Sequence, residues 1–276
     1  MGRFMWIAAV GFAMSVAGCS DEQAQGVGAR DGASQIDGAV DAAVDGEALA
    51  SVDGTVPPEP LRSFYSDLEG VVPPQVNIGD CKLKPTQGFA TLGSPTNRFA
   101  TTFLWCPLQK KVVVTLSPLA PHTSIDIKFL LAAIDSLDGT SPDGGGDILL
   151  VTLDGNPIFE QSFANTGFIE AATGHITYAL QSYVPAPGVE LARRVDLGFS
   201  KGPYWLDSAY DMALEPAFSG IPHSSPTATV VFALTNDKIM AFDDDESWAI
   251  DNLRITVGDG PRNPADAGLD AAGDAR

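Results

Sequence analysis

The stretch AFDDDESWAIDNLRITV, residues 241–257, decides the fold class of this chain. Four acids, Asp243 to Glu246, lead into a run in which apolar and polar residues alternate, the pattern of a β-strand with one buried face. Alternate residues of a strand share a face. The two predicted faces are Trp248, Ile250 and Asn252 on one side, and Ala249, Asp251 and Leu253 on the other. We expect Trp248 and Ile250 to fill the core of a β-sandwich that this strand closes.

Several other segments carry strand signals, being rich in β-branched and aromatic residues and bounded by Gly, Pro, Asp and Ser. The predicted strands are 111–118, 124–134, 147–155, 157–163, 228–236 and 247–257. Asp154-Gly155-Asn156 predicts a hairpin, because these residues tolerate the positive φ of primed turns. WLDSAYDMALEP (205–216) reads as a helical turn, but it is short and ends at Pro216. The predicted fold class is all-β, an antiparallel jelly-roll-like β-sandwich.

Three motifs resemble an extracellular jelly-roll sandwich family. They lie within HTSIDIKFLLAAIDSLDG (122–139), GGDILLVTLDGNPIFEQSF (145–163) and DDESWAIDNLRI (244–255). The family carries a D-S-W-D-G strand end, a hairpin ending in D-G, and a closing D-E-S-W-G-(I/L)-D-N strand. This chain departs from it at Leu137, where the family has Trp, and at Ala249, where it has Gly. The resemblance implies a topology like that of galactose-binding-like and lectin-like sandwiches, and a fold does not by itself transfer function.

The first eighteen residues have the anatomy of a secretory signal, with Arg3, an apolar stretch and small residues at the end. Val16-Ala17-Gly18-Cys19 resembles the lipobox of bacterial lipoproteins, in which the cysteine is lipidated. The resemblance implies a lipid anchor at Cys19, and Ser20 implies sorting to the outer membrane. The alternative is an ordinary signal peptide followed by a chance cysteine.

Composition divides the chain into four predicted segments: a signal (1–18), a tether (19–56), a sandwich domain (57–257) and a tail (258–276). The tether and tail are rich in Ala, Gly and Asp and poor in aromatic residues, so we expect both to be disordered. The formal net charge is −19, and removing the signal makes it one unit more negative. This acidity argues against nucleic acid and anionic lipid as partners of the domain.

Cysteine usage fits an exported protein. Lipidation of Cys19 would leave Cys81 and Cys106, an even pair that can form a disulfide outside the cytoplasm. A reactive free thiol is the alternative.

Two groups of acids suggest calcium, which takes hard oxygen ligands from flexible Asp- and Gly-rich loops. Asp135, Asp138, Asp143 and Asp147 flank the loop SPDGGGD, and Asp243 to Glu246 begin the closing strand. Asp251 could accept backbone or side-chain hydrogen bonds at the sheet end, or share a cation with Glu246. The candidate calcium ligands are Asp135, Asp138, Asp245, Glu246 and Asp251. The alternative is a set of solvated turn aspartates, and neither group has the EF-hand spacing.

An aromatic patch of Tyr204, Trp205 and Tyr210 is a candidate for stacking on a sugar ring, although packing under the long loop is the alternative. Gly198-Phe199-Ser200-Lys201-Gly202 matches the G-x-S-x-G pattern of hydrolases. We reject a catalytic role for Ser200, because Pro203, Tyr204 and Trp205 read as a loop where that motif needs a helix.

Histidine spacing does not indicate zinc. His122 and His223 each follow a proline at a strand start, and His175 lies in a Gly-flanked segment, so a zinc site would need all three to converge without any short-range motif. We expect His122 and His223 to pack at the strand starts.

The sequence therefore predicts a non-catalytic, lipid-anchored binding or adhesion protein of the cell envelope, with a carbohydrate as the ligand class by fold analogy. A structural envelope lipoprotein without a small ligand is the alternative, and a secreted hydrolase is a distant one.

Overall fold

The computed structural model describes residues 58–140, 146–169, 173–236 and 246–259. Contacts divide the chain into Met1–Gly54 and Thr55–Arg276, and every described residue lies in the second unit. The predicted signal, lipidation site Cys19, tether and most of the tail lie outside the described residues, as do Asp143 and Asp245. Within the described part of the chain, no helix is both long and apolar enough to cross a membrane.

The described residues form short strands and three 3-10 turns. The strands are β1 (Ser63–Ser66), β2 (Val76–Asn77), β3 (Lys82–Pro85), β4 (Gly93–Ser94), β5 (Asn97–Arg98), β6 (Thr102–Pro107), β7 (Lys111–Leu116), β8 (Ser124–Asp135), β9 (Ile148–Leu153), β10 (Asn156–Ser162), β11 (Gly167–Ile169), β12 (Ile176–Tyr178), β13 (Glu190–Val195), β14 (Asp207–Asp211), β15 (Ile221–Pro222), β16 (Ala228–Thr235) and β17 (Glu246–Gly258). The 3-10 turns are Gln87–Phe89, Met212–Leu214 and Pro216–Phe218.

Most strands belong to two antiparallel sheets. The large sheet has the order β13-β14-β8-β17-β6-β3, with β1 also pairing with β17 and β15 with β8. The small sheet has the order β10-β9-β16-β7-β2. The prediction of an all-β, antiparallel, jelly-roll-like sandwich is confirmed, and the six predicted strands correspond to β7, β8, β9, β10, β16 and β17. The segment that read as a helical turn instead forms β14 followed by a 3-10 turn.

The main core lies between the sheets and includes Trp248 and Ile250 of β17, both essentially unexposed, as predicted. Phe129 of β8 packs edge-on against Phe232 of β16, with ring centroids 5.0 Å apart. Such aromatic contacts join the sheets because each ring buries a large apolar area.

A bulge changes the face pattern of β17 after Asp251. Asn252 has φ 48°, and the pairing with β8 shifts between Asp251 and Arg254. The extra residue turns Leu253 into the same core as Trp248, so the prediction that Leu253 shares a face with Ala249 is wrong.

A second apolar core covers the other face of the large sheet. Ala249 and Phe103 lie there with Phe89, Phe99 and Trp105, all buried. Because both faces of this sheet are covered, its central strand β8 is buried along nearly its whole length.

Two local predictions are confirmed. Cys81 and Cys106 form a disulfide that closes a separation of 25 residues beside the paired strands β3 and β6. Such a cross-link stabilises a fold by roughly 3 kcal/mol in the chain-entropy account. Asp154 and Gly155, with φ 50° and 80°, make the two-residue turn of the β9–β10 hairpin.

Candidate functional site

A groove runs along the margin of the sandwich where the edge strands β10 and β13 lie. One part has a volume of about 270 Å³ and is lined by residues that include Tyr178, Gln181, Arg193 and Arg194. A second part, of about 580 Å³, is lined by Ile158, Glu160, Gln161, Ser182 and Glu215, among others. Both parts are lined by Tyr183 and Val184, so they adjoin. We call the two parts together the edge groove.

Arg194 and Tyr178 form one fixed wall of the edge groove. The Arg194 guanidinium lies 4.4 Å from the centroid of the Tyr178 ring. Its Nε donates to the carbonyl of Ala164 at 3.1 Å and its Nη2 to the carbonyl of Ala179 at 2.8 Å. Burial lowers the pKa of Arg194 from its ordinary value. The wall therefore presents an aromatic ring beside a cation that the backbone holds in position.

Exposed apolar side chains occur on the segments next to this wall in the fold. Trp205 is 42% exposed and makes a β-bridge to Thr166, which directly precedes β11. Phe168 on β11 is 57% exposed, and the groove residue Val184 is 83% exposed. β11 pairs with β12, which places Gly167 opposite Tyr178. Trp205 and the edge groove thus lie on neighbouring segments of the chain.

The predicted aromatic patch is only partly present. Trp205 is exposed, and Tyr204 is half-buried, with its carbonyl accepting the Gly167 N–H at 2.6 Å. Tyr210 is fully buried, with its ring centroid 5.1 Å from that of Phe163. The prediction of Tyr210 as a ligand residue is wrong, because β14 directs this ring into the core between the sheets.

The second candidate site is the acid cluster, defined here as Asp135, Asp138, Asp147 and Glu246. Asp135 ends β8, Glu246 begins β17, and the two are direct strand partners. Asp147 accepts the backbone N–H of Asp138 through Oδ2 and the Asn236 side-chain amide through Oδ1, the latter at 2.8 Å. The structure thus brings three predicted calcium ligands, Asp135, Asp138 and Glu246, together with Asp147.

Burial sets the chemistry of the acid cluster. It raises the pKa of Asp147 to about 6, against the opposing effect of hydrogen bonds from Asp138, Asn236 and Glu246. A hydrogen bond between the carboxyl groups of Asp147 and Glu246 requires a proton on one of them. Lys201 Nζ lies 3.5 Å from Asp135 Oδ2. Among the described residues, no group of three or more His, Cys, Asp or Glu side chains is arranged as a metal site.

Asp251 lies away from the acid cluster. It is the fifth residue after Glu246 along β17, a distance of about 17 Å on an extended strand. Its carboxylate accepts the backbone N–H groups of Asn252 at 2.7 Å and of Ala100 at 3.3 Å. Burial raises its pKa to about 7. The prediction that Asp251 shares a cation with Glu246 is therefore wrong.

Ser200 is not joined to the acid and base of a hydrolase triad in the described structure. Its Oγ donates to the Gly202 carbonyl at 2.7 Å. Asp207 accepts backbone N–H groups, including that of Leu197 at 2.9 Å, and His223 contacts His122 and Asp154. The chain after Gly202 forms a turn and then β14, where the hydrolase motif would require a helix.

His122 and His223 make a direct contact that spacing did not predict, while His175 is exposed and away from them. The edge groove was also missed, because Tyr178 and Arg194 carry no motif. The one available signal for the histidine contact is the repeated Pro-His at two strand starts.

No protein-family model matches the chain, and no curated protein matches it. Solved structures of low identity do match. The C-terminal family 22 carbohydrate-binding module of Clostridium thermocellum Xyn10B is 13% identical over 71% of this chain and 93% of its own, with a TM-score of 0.26. The K3 cleaved adhesin domain of Lys-gingipain from Porphyromonas gingivalis is 14% identical over 70% of this chain and 98% of its own, with a TM-score of 0.29. At these values the likeness concerns the fold alone.

Proposed function

We propose that the protein is a non-catalytic, lipid-anchored binding protein of the cell envelope and that its domain binds a glycan in the edge groove. The observation that carries the proposal is the wall formed by Tyr178 and Arg194. The half-exposed Trp205 lies on a segment that bridges to Thr166, next to the partner of Tyr178 on β11. This combination offers an aromatic ring, a cation held in place by backbone carbonyls, and a second aromatic side chain on a neighbouring segment.

A sugar ring suits such a wall because it has an apolar face and a rim of hydroxyl groups. Aromatic rings pack on the apolar face. The hydroxyl groups need partners that donate and accept hydrogen bonds, and the groove supplies Arg193, Gln181, Glu160 and Ser182.

The lipid anchor is the part of this proposal that rests on the lipobox. Lipidation of Cys19 and an acidic tether would hold the domain away from the outer membrane, and repulsion among the tether's acids would keep it extended. Substituting Cys19 with alanine should release the protein from the membrane fraction into the soluble fraction. Retention of the variant in the membrane would contradict the anchor.

We further propose that calcium binds at the acid cluster and stabilises the fold. Asp135, Asp147 and Glu246 lie at the adjoining ends of β8, β9 and β17, and Asp138 is bonded to Asp147 through its backbone N–H. Because their carboxylates are not arranged as a metal site, calcium would have to draw these hard oxygen ligands together. A cation there would take the place of the proton that the Asp147–Glu246 hydrogen bond requires. The role is structural, because the cluster lies at strand ends and not in the edge groove.

The glycan proposal is tested by probing the full chain on an array of bacterial, plant and host glycans. Substitution Trp205→Ala should abolish the binding that the unmodified protein shows. The matched control is Tyr65→Ala, which removes an aromatic ring that is 53% exposed on β1. Equal binding by the unmodified protein and Trp205→Ala would overturn the assignment of the site.

An envelope protein as partner is the second candidate. The exposure of Leu180 and Val184, at 78% and 83%, favours it, since such side chains commonly pack against a protein surface. A blank glycan array together with copurification of one envelope protein, lost on Val184→Asp, would support this candidate over the first.

A further inference from the structure

Two histidines of the large sheet are in direct contact at one end of the sandwich. His122 lies two residues before β8, and His223 directly follows β15. His122 Nε2 is 2.6 Å from His223 Nδ1. The ring planes differ by 14° and the ring centroids are 4.9 Å apart, which with so short a nitrogen contact fits rings joined edge to edge. Both side chains are buried, with 8% of His122 and 5% of the His223 side chain exposed.

The outer nitrogen of each ring also has a partner. His122 Nδ1 lies 2.6 Å from the carbonyl oxygen of Ala120, and His223 Nε2 lies 2.9 Å from Asp154 Oδ2. A carbonyl oxygen only accepts, so His122 Nδ1 carries a hydrogen. A carboxyl group is a stronger acid than imidazolium, so Asp154 accepts and His223 Nε2 donates.

Counting hydrogens then decides the state of the inner contact. Two neutral imidazoles carry two N–H hydrogens in total, and both are already directed outward, to Ala120 and Asp154. The two inner nitrogens would then face each other with lone pairs alone at 2.6 Å. A zinc ion does not fit between them, since two nitrogens bound to one tetrahedral zinc lie about 3.3 Å apart. The contact therefore requires a third hydrogen.

We propose that His122 and His223 hold one shared proton and, with Asp154, form a pH-dependent clip that joins the two sheets. The histidines belong to loops of the large sheet, whereas Asp154 is in the β9–β10 hairpin of the small sheet. Asp154 Oδ1 also accepts the N–H of Thr229 on β16, at 2.8 Å. Loss of the shared proton leaves two opposed lone pairs between the rings. One of the three hydrogen bonds, Ala120–His122, His122–His223 or His223–Asp154, must then break.

The elements around the clip carry both signs of charge. Glu59 and Arg62 flank Leu61, which exchanges backbone hydrogen bonds with Pro118 and Ala120. Asp126 on β8 accepts the N–H of Gly220, and Asp259 follows β17, whose Gly258 carbonyl accepts the N–H of Thr123. Apart from Asp154, these are the ionisable side chains that the adjacent described segments contribute.

The difference in bound protons between the folded and unfolded states gives the direction in which stability changes with pH. The shared proton belongs to the folded contact, and the separated histidines of the unfolded chain have no such shared site. The folded state then binds one proton more than the unfolded state, so stability falls as the pH rises. For one proton, the folding equilibrium constant falls up to about tenfold per pH unit above about 6.5.

The test is urea unfolding of the full chain between pH 6 and 9. Because other groups also titrate, the quantity of interest is the difference between the unmodified protein and His223→Gln, whose amide can still donate to Asp154. The ratio of the folding constant of the unmodified protein to that of His223→Gln should fall by up to about tenfold per pH unit. The control is His175→Gln, an exposed histidine outside the clip, which should follow the unmodified protein. Equal pH dependence of the unmodified protein and His223→Gln would overturn the proposal.

A measurement on the unmodified protein covers the case in which His223→Gln does not fold. Nitrogen-15 NMR of the histidine side chains at pH 7 should find three hydrogens on the four nitrogens of His122 and His223. One unprotonated nitrogen in each of the two rings would contradict the shared proton.

Discussion

The two ends of the sandwich bury ionisable groups in opposite ways. At one end Asp135, Asp147 and Glu246 bring negative charge together, and Asp147 is wholly buried. At the other end Asp154 faces the imidazole of His223 and remains partly exposed, with 38% of its side chain accessible. β8, β9 and β17 each run from one end to the other.

The contrast shows how a strongly acidic chain distributes the cost of burying charge. At the histidine end a single, partly exposed carboxylate faces an imidazole, so little of its charge is removed from water. Where carboxyl groups face each other, burial drives one of them towards the neutral form or towards a bound cation. The raised pKa of Asp147, to about 6, is the measure of that cost.

The contrast requires that the acid end be held rigidly, since otherwise its carboxyl groups would move apart. Trp248, two residues from Glu246, is the largest fully buried side chain there. Trp248→Ala should lower the free energy of unfolding by about 3–5 kcal/mol, through lost burial and the cavity left behind. The control, Trp205→Ala at a half-exposed site, should lower it by about 1 kcal/mol or less. Unchanged thermal stability of Trp248→Ala would show that the acid end is not held by the core.

The acid end should have its own pH dependence. The folded pKa of Asp147, about 6, lies above its ordinary value of 3.8, so the folded state binds this proton more tightly. Proton binding at Asp147 therefore adds about 2–3 kcal/mol to the free energy of unfolding below about pH 4. This contribution is lost as the pH rises through 6.

Asp147→Asn should remove this loss when unfolding is measured between pH 4 and 7 with a chelator present. Asp196→Asn, at an exposed aspartate, serves as the control. The same pH profile in Asp147→Asn and in the unmodified protein would contradict the proposed cost of burying the ionised Asp147 carboxylate.

Calcium should act at the acid end alone. At neutral pH, free calcium at ten times its dissociation constant should stabilise the protein by about 1.4 kcal/mol, seen as a rise in melting temperature. Glu246→Gln should diminish the rise, and so should Asp245→Asn if the acids before β17 contribute. Asp154→Asn at the other end should leave it unchanged. Identical melting curves with calcium and with chelator would rule out a stabilising calcium site.

The smallest effect is expected at the histidine end. Asp154→Asn keeps an acceptor for Thr229 but removes the negative charge that faces His223. Since Asp154 is partly exposed and the interaction is screened, the free energy of unfolding at pH 7 should fall by about 1 kcal/mol or less. A loss above 3 kcal/mol in urea unfolding would mean that the two ends do not differ in the way proposed.

The fold was predictable where periodicity and burial agree. β17 and the β9–β10 hairpin could be identified because Trp248 and Ile250 alternate with smaller residues and Asp154-Gly155 suits a primed turn. The bulge at Asn252 could not be predicted, because one added residue reverses which side chains of β17 face the core without changing the composition of the strand. The second core was also missed, because a strand buried on both faces loses its alternation.

Strand patterns alone did not predict which site residues meet. Asp135 and Glu246 were predicted in two separate groups of acids, and they could not be joined because strand patterns do not show that β8 pairs with β17. Tyr178 and Arg194 could not be joined either, because they meet across a connecting segment without a repeating pattern. Tyr210 was misassigned because chain proximity to Trp205 says nothing about the face on which a strand places its ring.

The central functional claim, that a glycan binds beside Trp205, can be measured by tryptophan fluorescence. Apart from Trp6 in the predicted signal, the chain has Trp105, Trp205 and Trp248, and the first and last of these three are buried. Titrating the full chain with an oligosaccharide selected on the array should therefore shift the emission of Trp205 to shorter wavelength, with saturation. Trp205→Phe should lose the shift, and Trp205→Ala should lose the binding. An oligosaccharide that binds by calorimetry with equal affinity to Trp205→Ala, without an emission change in the unmodified protein, would contradict the account.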